Sequence, residues 1–233
     1  MTDHADLDRL QREVAALRDL VDRQGRRLEA LEDRAAIERL QYLYGYFMDN
    51  RMFDEMADLF TDDAPWMEIG ERGRYVGKAR IRQFLYDVLG EGRWGLLRDE
   101  VINHVQMQPV ITLAANGLSA RARMRAQIHG NSPPTTPHFL FAEGVYENDY
   151  VKEAGTWKIK GLTVAMTFYA ALERARIAFR SAPPSDVMPP DRPSAPVEKG
   201  LGRQFVPWHF AHPIEGYLLK IPASAGQEDG APG

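Results

Sequence analysis

Asp49, His104 and a tyrosine at position 44 are the residues of this chain whose types could do acid–base chemistry together. Asp49 closes an amphipathic stretch, Ile-Glu-Arg-Leu-Gln-Tyr-Leu-Tyr-Gly-Tyr-Phe-Met-Asp. A carboxylate at the C-terminal end of a helix meets the negative pole of the macrodipole and calls for a cationic or hydrogen-bonding partner. An aspartate that merely caps the following loop is the competing reading. His104 opens a strand-like run, Val105 to Leu113, behind polar Asp99, Glu100 and Asn103. Imidazole titrates near neutrality, which suits it to general base work; a solvent-facing histidine at a strand start is the alternative. His129 lies 25 residues beyond His104, just before Gly130, and is the second histidine candidate. A surface histidine at a strand end fits it equally. Tyr44 stands five residues before Asp49 in the same amphipathic stretch, with Tyr42 and Tyr46 as rivals. All three could instead be core aromatics with satisfied hydroxyls.

Other chemistries find less support. The chain has no cysteine, which removes disulfides, thiolate metal sites and cysteine nucleophiles. His104, His129, His138, His209 and His212 lack tight ligand spacing, the weak His209/His212 pair beside Pro213 excepted, so no metal is expected. No Gly-rich phosphate loop follows a strand and no serine sits in a nucleophile elbow, so no cofactor is expected. The net charge of −4 argues against nucleic acid or an anionic membrane as the main partner. No apolar run approaches a membrane span, and the N-terminus is acidic and polar, so the expected location is the cytoplasm. With 44% hydrophobic and 27% charged residues, the composition is that of a globular domain with a sizeable core.

The elements that must position these residues can be read from periodicity. Residues 3 to 34 carry heptads, with Leu7, Val14, Val21 and Leu28 at one apolar position and Leu10, Leu17 and Leu31 at the other. Gln24 takes the remaining slot. That spacing predicts a coiled-coil-like helix that self-associates, or one laid against its own domain; mixed Val and Leu leave strand number open. Helices are predicted over Ala35–Met48, Phe53–Phe60 and Lys78–Leu89, with a hairpin over Glu68–Val76. Strands follow over Asn103–Leu113 and Leu118–His129, then a loop over Ser132–Pro137 and a hairpin of Phe139–Lys152 with Thr156–Phe168. Arg121, Arg123 and Arg125 alternate with apolar residues and should face solvent or a neighbouring subunit. Ala171–Phe179 reads as a short helix. The order is α+β rather than the alternation of a parallel sheet.

A helix ending in Asp49, a second short helix, the Phe60-Thr61-Asp62-Asp63-Ala64 turn and a histidine opening a long strand resemble the SnoaL-like group of the nuclear transport factor 2 superfamily. The resemblance covers about residues 35–171. It implies a cone: a curved antiparallel sheet with three helices, holding an apolar substrate. It further implies that His104 acts as base with Asp49 fixing its tautomer. Tyr44 or His129 would assist the leaving group, as in scytalone dehydratase and bile-acid dehydratase types. Trp66, Tyr75, Phe84, Met107, Phe141 and Phe168 are the expected substrate-binding residues, with Met67, Phe139 and Met166 as further lining or core. The fold alone does not set the reaction.

The expected organisation is a coiled-coil-like helix over 1–34, a SnoaL-like domain over 35–180, and a Pro-rich tail over 181–233. The tail's aromatic segment, Phe205–Pro213 with Trp208, Phe210 and His212, should dock near the mouth of the cone or a subunit seam. The expected activity is a cofactor-independent lyase acting on a hydroxylated aromatic compound. The N-terminal helix and tail resemble bacterial γ-formaldehyde lyases of lignin-dimer catabolism. A dehydratase or isomerase of a polycyclic substrate needs the same residues, and a non-catalytic binding or assembly module is the rival class. Self-association as a trimer is what the resemblance implies.

Overall fold

The computed structural model describes residues 2–97, 100–131, 138–173, 176–179, 183–195, 197–200, 203–205, 207 and 209. Two compact units are present, Met1–Ala36 and Ile37–Gly233. Helix α1 is Thr2–Asp49. No helix among the described residues is long and apolar enough to cross a membrane.

In the second unit, α2 (Phe53–Asp58) precedes a short hairpin of β1 (Trp66–Ile69) and β2 (Arg74–Val76), joined through a 3-10 turn at Gly70–Arg72. Helix α3 (Lys78–Phe84) runs on into one π-helical turn, Leu85–Leu89. Four long strands follow: β3 (Ile102–Leu113), β4 (Ser119–Gly130), β5 (Phe139–Glu153) and β6 (Thr156–Glu173). The sheet order is β2-β1-β6-β5-β4-β3. Its pairings are antiparallel except β1 with β6, which is parallel. Register shifts at Met107/Val110, Glu143/Gly144 and Asp149/Tyr150 mark bulges, which bend strands and increase their twist. The β5–β6 hairpin closes on Ala154 and Gly155, both at positive φ, as a two-residue primed turn requires.

Alternation on β4 decides the two faces of the sheet. Ala120, Ala122, Met124, Ala126 and Ile128 are buried, whereas Arg121 and Arg125 are exposed. The inward residues join Ile37, Tyr44, Phe53, Met56, Phe84 and Tyr146 in one core. Arg123 departs from the expected pattern and is buried. It pairs with Glu147 across the strands and donates to the Pro207 carbonyl at 2.6 Å.

The expected helix over Ala171–Phe179 is a correction. β6 continues to Glu173, and β7 (Arg176–Phe179) folds back on its end, pairing Ala170 with Phe179 and Leu172 with Ile177. Residues of fair helix propensity are held as strand because the first turn of β5, Phe139 to Ala142, needs Tyr169 to Leu172 as its ladder partner.

Residues 183–195 run along the β1–β2 hairpin. The Tyr75 hydroxyl donates to the Met188 carbonyl at 3.1 Å, and Arg74 N donates to the Arg192 carbonyl at 3.0 Å. Arg80 pairs with Asp191 at 2.6 Å, and Ser194 Oγ donates to the Gly70 carbonyl at 2.6 Å. Gly73, at φ +88, lies under this segment; a Cβ there would sit 2.4 Å from the Pro190 side chain. Gly73→Ala is therefore expected to cost about 1–3 kcal/mol or more, strain and clash together. Gly77→Ala is the control, since Gly77 has φ +94 but nothing near its Cβ. Urea midpoints should fall further for Gly73→Ala; equal falls would show that the 183–195 segment adds nothing.

Candidate active site

Helix α1 reaches the sheet at Gly45. A Cβ there would lie 3.0 Å from the Gln106 side chain and 3.1 Å from the His104 carbonyl, so glycine permits the close approach. One turn on, Asp49 Oδ1 accepts two hydrogen bonds from one residue: the His104 main-chain N–H at 2.6 Å and the ring Nδ1 at 3.0 Å. This double contact supplies the partner that a carboxylate at a helix C-terminus needs. Because a carboxylate only accepts, the bonded Nδ1 carries a hydrogen, and the neutral ring keeps its lone pair on Nε2. The His104 side chain is 10% exposed and that of Asp49 21%.

A buried polar chain fixes His104 from the other side. Gln106 Nε2 donates to the His104 carbonyl at 3.1 Å, and Gln106 Oε1 accepts from Gln41 Nε2 at 2.8 Å. Gln41 Oε1 accepts from Asn148 Nδ2 at 2.8 Å and from the Tyr150 hydroxyl at 3.0 Å. Asn148 Oδ1 accepts the Thr163 main-chain N–H at 3.1 Å. The network thus links α1, β3, β5 and β6 with satisfied partners, which makes it rigid.

Tyr44 and Tyr146 meet edge-to-face, with ring centroids 5.8 Å apart. Burial pushes the Tyr44 hydroxyl well above its ordinary pKa, and the bond to Tyr146 raises it further. Burial pushes Tyr146 up to about 12, while its interactions with Tyr44 and Gln106 pull the other way. Tyr150 is raised too, first by burial. A tyrosine raised on folding stabilises the fold fully below its unfolded pKa of 10.0 and loses that contribution as pH climbs through the folded value. Stability should accordingly drop above about pH 10. Urea titration across that range checks this: Tyr146→Phe should flatten the alkaline loss, and an unchanged slope would contradict the assignment.

The end of α1 holds a further buried charge. Arg51 N donates to the Met48 carbonyl at 3.1 Å and Met52 N to the Phe47 carbonyl at 2.8 Å, the paired bonds of a Schellman motif. Arg51 takes the left-handed position of that motif, at φ 52, where glycine is usual. Its guanidinium meets Glu100 at 2.7 Å and donates to the Leu89 carbonyl. Glu100, with a fully buried side chain, also receives Arg93 at 3.1 Å and the Leu97 N–H at 2.7 Å. The strained backbone thus places an arginine beside the dyad.

His104, Tyr44, Tyr146 and Arg51 line one cavity of about 210 Å³. Its apolar wall includes Met48, Ile128, Leu140, Val164, Met166 and Tyr169. Among the described residues, Asp49 bonds His104, and His104 shares the cavity wall with Tyr44. His129 does not join them: Ile128 faces the cavity, so His129 points to the opposite face, where Asn103 Nδ2 lies 3.0 Å from its Nε2. None of the six expected substrate-binding residues lines this cavity. Tyr75 and Phe84 are stacked in the core, with centroids 4.1 Å apart and no exposure. Phe141 pairs in register with His129 and packs on Phe168 at 5.5 Å, on the outer face. Met107 pairs with exposed Arg125 on that face, and Trp66 lies under Arg74 in a separate groove of about 540 Å³ with Arg121 and Glu147. Met166 is the one member of the wider aromatic and methionine set that reaches the cavity wall.

Of the tail segment expected to dock, Phe205, Pro207 and His209 are described; Phe205 ends a short strand, Arg203–Phe205, that pairs antiparallel with Glu198–Gly200. Pro207 and His209 contact Arg123 and Glu147, and Glu147 follows cavity-lining Tyr146, so these contacts are on the outer face. Trp208, Phe210 and His212 lie outside the described residues. No group of three or more His, Asp or Glu that could hold a metal is found among the described residues.

A curved sheet closing over helices, with an Asp–His pair at the inner end of its edge strand, defines an α+β cone with a polar pair at its cavity. Residues 29–163 match the SnoaL-like domain, and the chain belongs to that family. Hexachlorocyclohexane dehydrochlorinase 1 of Sphingobium indicum is 26% identical over 163 residues, which cover 69% of this chain and 96% of that protein. A scytalone dehydratase-like protein from Novosphingobium aromaticivorans superposes with a TM-score of 0.54 at 21% identity, over 68% of this chain and 96% of its own. A type 3 hexachlorocyclohexane dehydrochlorinase from Novosphingobium barchaimii gives 0.54 at 20% identity, over 63% and 94%. These likenesses establish the fold.

Proposed function

We propose that this chain is a cofactor-independent lyase that eliminates a small leaving group from a ring-bearing apolar substrate by acid–base catalysis. The observation that carries the proposal is Asp49 Oδ1 receiving both N–H groups of His104, which leaves Nε2 as the basic atom of a residue that lines the cavity. In the proposed reaction Nε2 takes a proton from a substrate carbon. The C–H electron pair becomes the new double bond, and the leaving group departs with its bonding pair. Tyr146 donates a hydrogen bond to the departing atom, and Asp49 stabilises the imidazolium until the proton passes to the leaving group or water. The dehydrochlorinase and dehydratase names of the relatives support elimination as the reaction class.

Formaldehyde release from a lignin-derived diaryl dimer is the more specific version. There His104 would deprotonate a primary hydroxyl, formaldehyde would leave as the C–C bond breaks, and a protonated benzylic oxygen would depart to give a stilbene. The cavity of about 210 Å³ falls below the about 300–1,000 Å³ of pockets for drug-sized ligands. That size favours a single-ring substrate over two rings. The test is a panel of hexachlorocyclohexanes, hydroxylated single-ring compounds and diaryl propane dimers, read by alkene absorbance, chloride and formaldehyde. Turnover that survives exhaustive chelation and dialysis is expected for at least one class. Activity restored only by a metal or nucleotide, or none on any class, would overturn the reading.

A further inference from the structure

The first unit leaves a regular apolar seam uncovered. Leu7, Leu10, Val14, Leu17, Val21, Leu28 and Leu31 are each 45–67% exposed, at alternating spacings of three and four. Packing of an apolar face supplies most of the stability of helices in proteins, and Gly25 costs about 1 kcal/mol in the interior of this one. We propose that residues 6–34 form a parallel, in-register coiled coil with the same segment of a second copy of this chain.

The sequence on either side of the seam selects both partner and direction. With Leu7 at position a and Leu10 at d, the flanking g and e residues meet across a parallel pair at a separation of five. Glu13 then faces Arg18 of the other copy, and Arg27 faces Glu32, opposite charges in both cases. Leu20, the one apolar g residue and itself 44% exposed, falls over Gly25, the one e position without a side chain. Asp6 meets neutral Gln11. Gln24, the polar d residue, faces its own copy and can exchange amide hydrogen bonds, which fixes register. The antiparallel alternative also pairs Asp6 with Arg34 and Glu13 with Arg27. It sets Arg18 against Arg18, however, and buries Gln24 against Val14, leaving the amide without a partner. The Arg18 clash and the unpartnered Gln24 amide thus set the antiparallel form below the parallel one.

The absence of cysteine makes the test direct. Single variants Leu17→Cys, at d, and Arg26→Cys, on the outer surface of the helix, are made in the full chain and oxidised. Both sites are exposed, so neither change should disturb folding. In a parallel in-register pair Leu17 meets its own copy within disulfide reach, so most Leu17→Cys chains should become covalent dimers while Arg26→Cys chains stay single. Cross-linking of Leu17→Cys no better than of Arg26→Cys would overturn the proposal. So would a disulfide formed only in a mixture of Leu17→Cys with Val21→Cys, the pair that meets in the antiparallel form.

Discussion

Replacing His104 with alanine is expected to lower kcat by about 10²–10⁴, the contribution of a positioned general base. The fold should survive. His104 sits near the start of β3, its main-chain N–H keeps Asp49 as acceptor, and its carbonyl keeps Gln106 as donor. Neither bond needs the imidazole. Circular dichroism and the urea midpoint should therefore stay close to wild type while turnover collapses. Near-normal turnover in a folded His104→Ala protein would remove this residue from the mechanism. Asp49→Asn should cost less, because Nε2 remains available, but the ring loses the carboxylate that selects its tautomer and stabilises the imidazolium.

The largest stability effect is expected at Glu100. Its carboxylate is fully buried between Arg51, itself 5% exposed, and Arg93. Glu100→Ala would leave two guanidiniums without the carboxylate they share, and removing one partner of a buried ion pair costs about 3–5 kcal/mol. The loss also removes what holds Arg51 in its left-handed backbone. Arg51→Gly is the informative comparison. It deletes the same pair but relieves the positive φ and leaves Arg93 with Glu100, so it should destabilise less. Urea unfolding of both variants decides this: a midpoint for Glu100→Ala at or above that of Arg51→Gly would show that the buried pair contributes little.

Much of this architecture is legible in the sequence, and the losses have definite causes. Heptad spacing, the amphipathic run into Asp49 and the alternation on β4 are local patterns, so the long strands and both stretches of α1 could be read from them, but not that the two stretches form one continuous helix. Ala171–Phe179 was not legible, since Ala, Leu and Arg carry no mark of the ladder that β5 imposes. A carboxylate at a helix end calls for some partner, but only the family resemblance pointed to His104, which lies 55 residues away. Arg51 and Glu100 lie 49 residues apart and nothing local announces them. A left-handed arginine after a helix reads in sequence as an ordinary loop residue. The pocket lining failed for a different reason. Aromatic residues were chosen by type, whereas strand parity assigns them. The same alternation that puts Arg125 outward puts Met107, His129 and Phe141 outward with it, and Tyr146 and Ile128 inward. Following parity from β4 into β5 would have pointed to Tyr146.

Asp49 and His104 are proposed to act as one catalytic unit, and a double-mutant cycle reads that coupling directly. kcat/KM is measured for wild type, His104→Ala, Asp49→Asn and the double variant on whichever substrate of the panel is turned over. Members of a catalytic unit are strongly non-additive. The double variant is predicted to be no slower than His104→Ala alone, because Asp49 has no role once the imidazole is gone. Losses that multiply, with Asp49→Asn costing as much in the alanine background as in the wild type, would contradict the account.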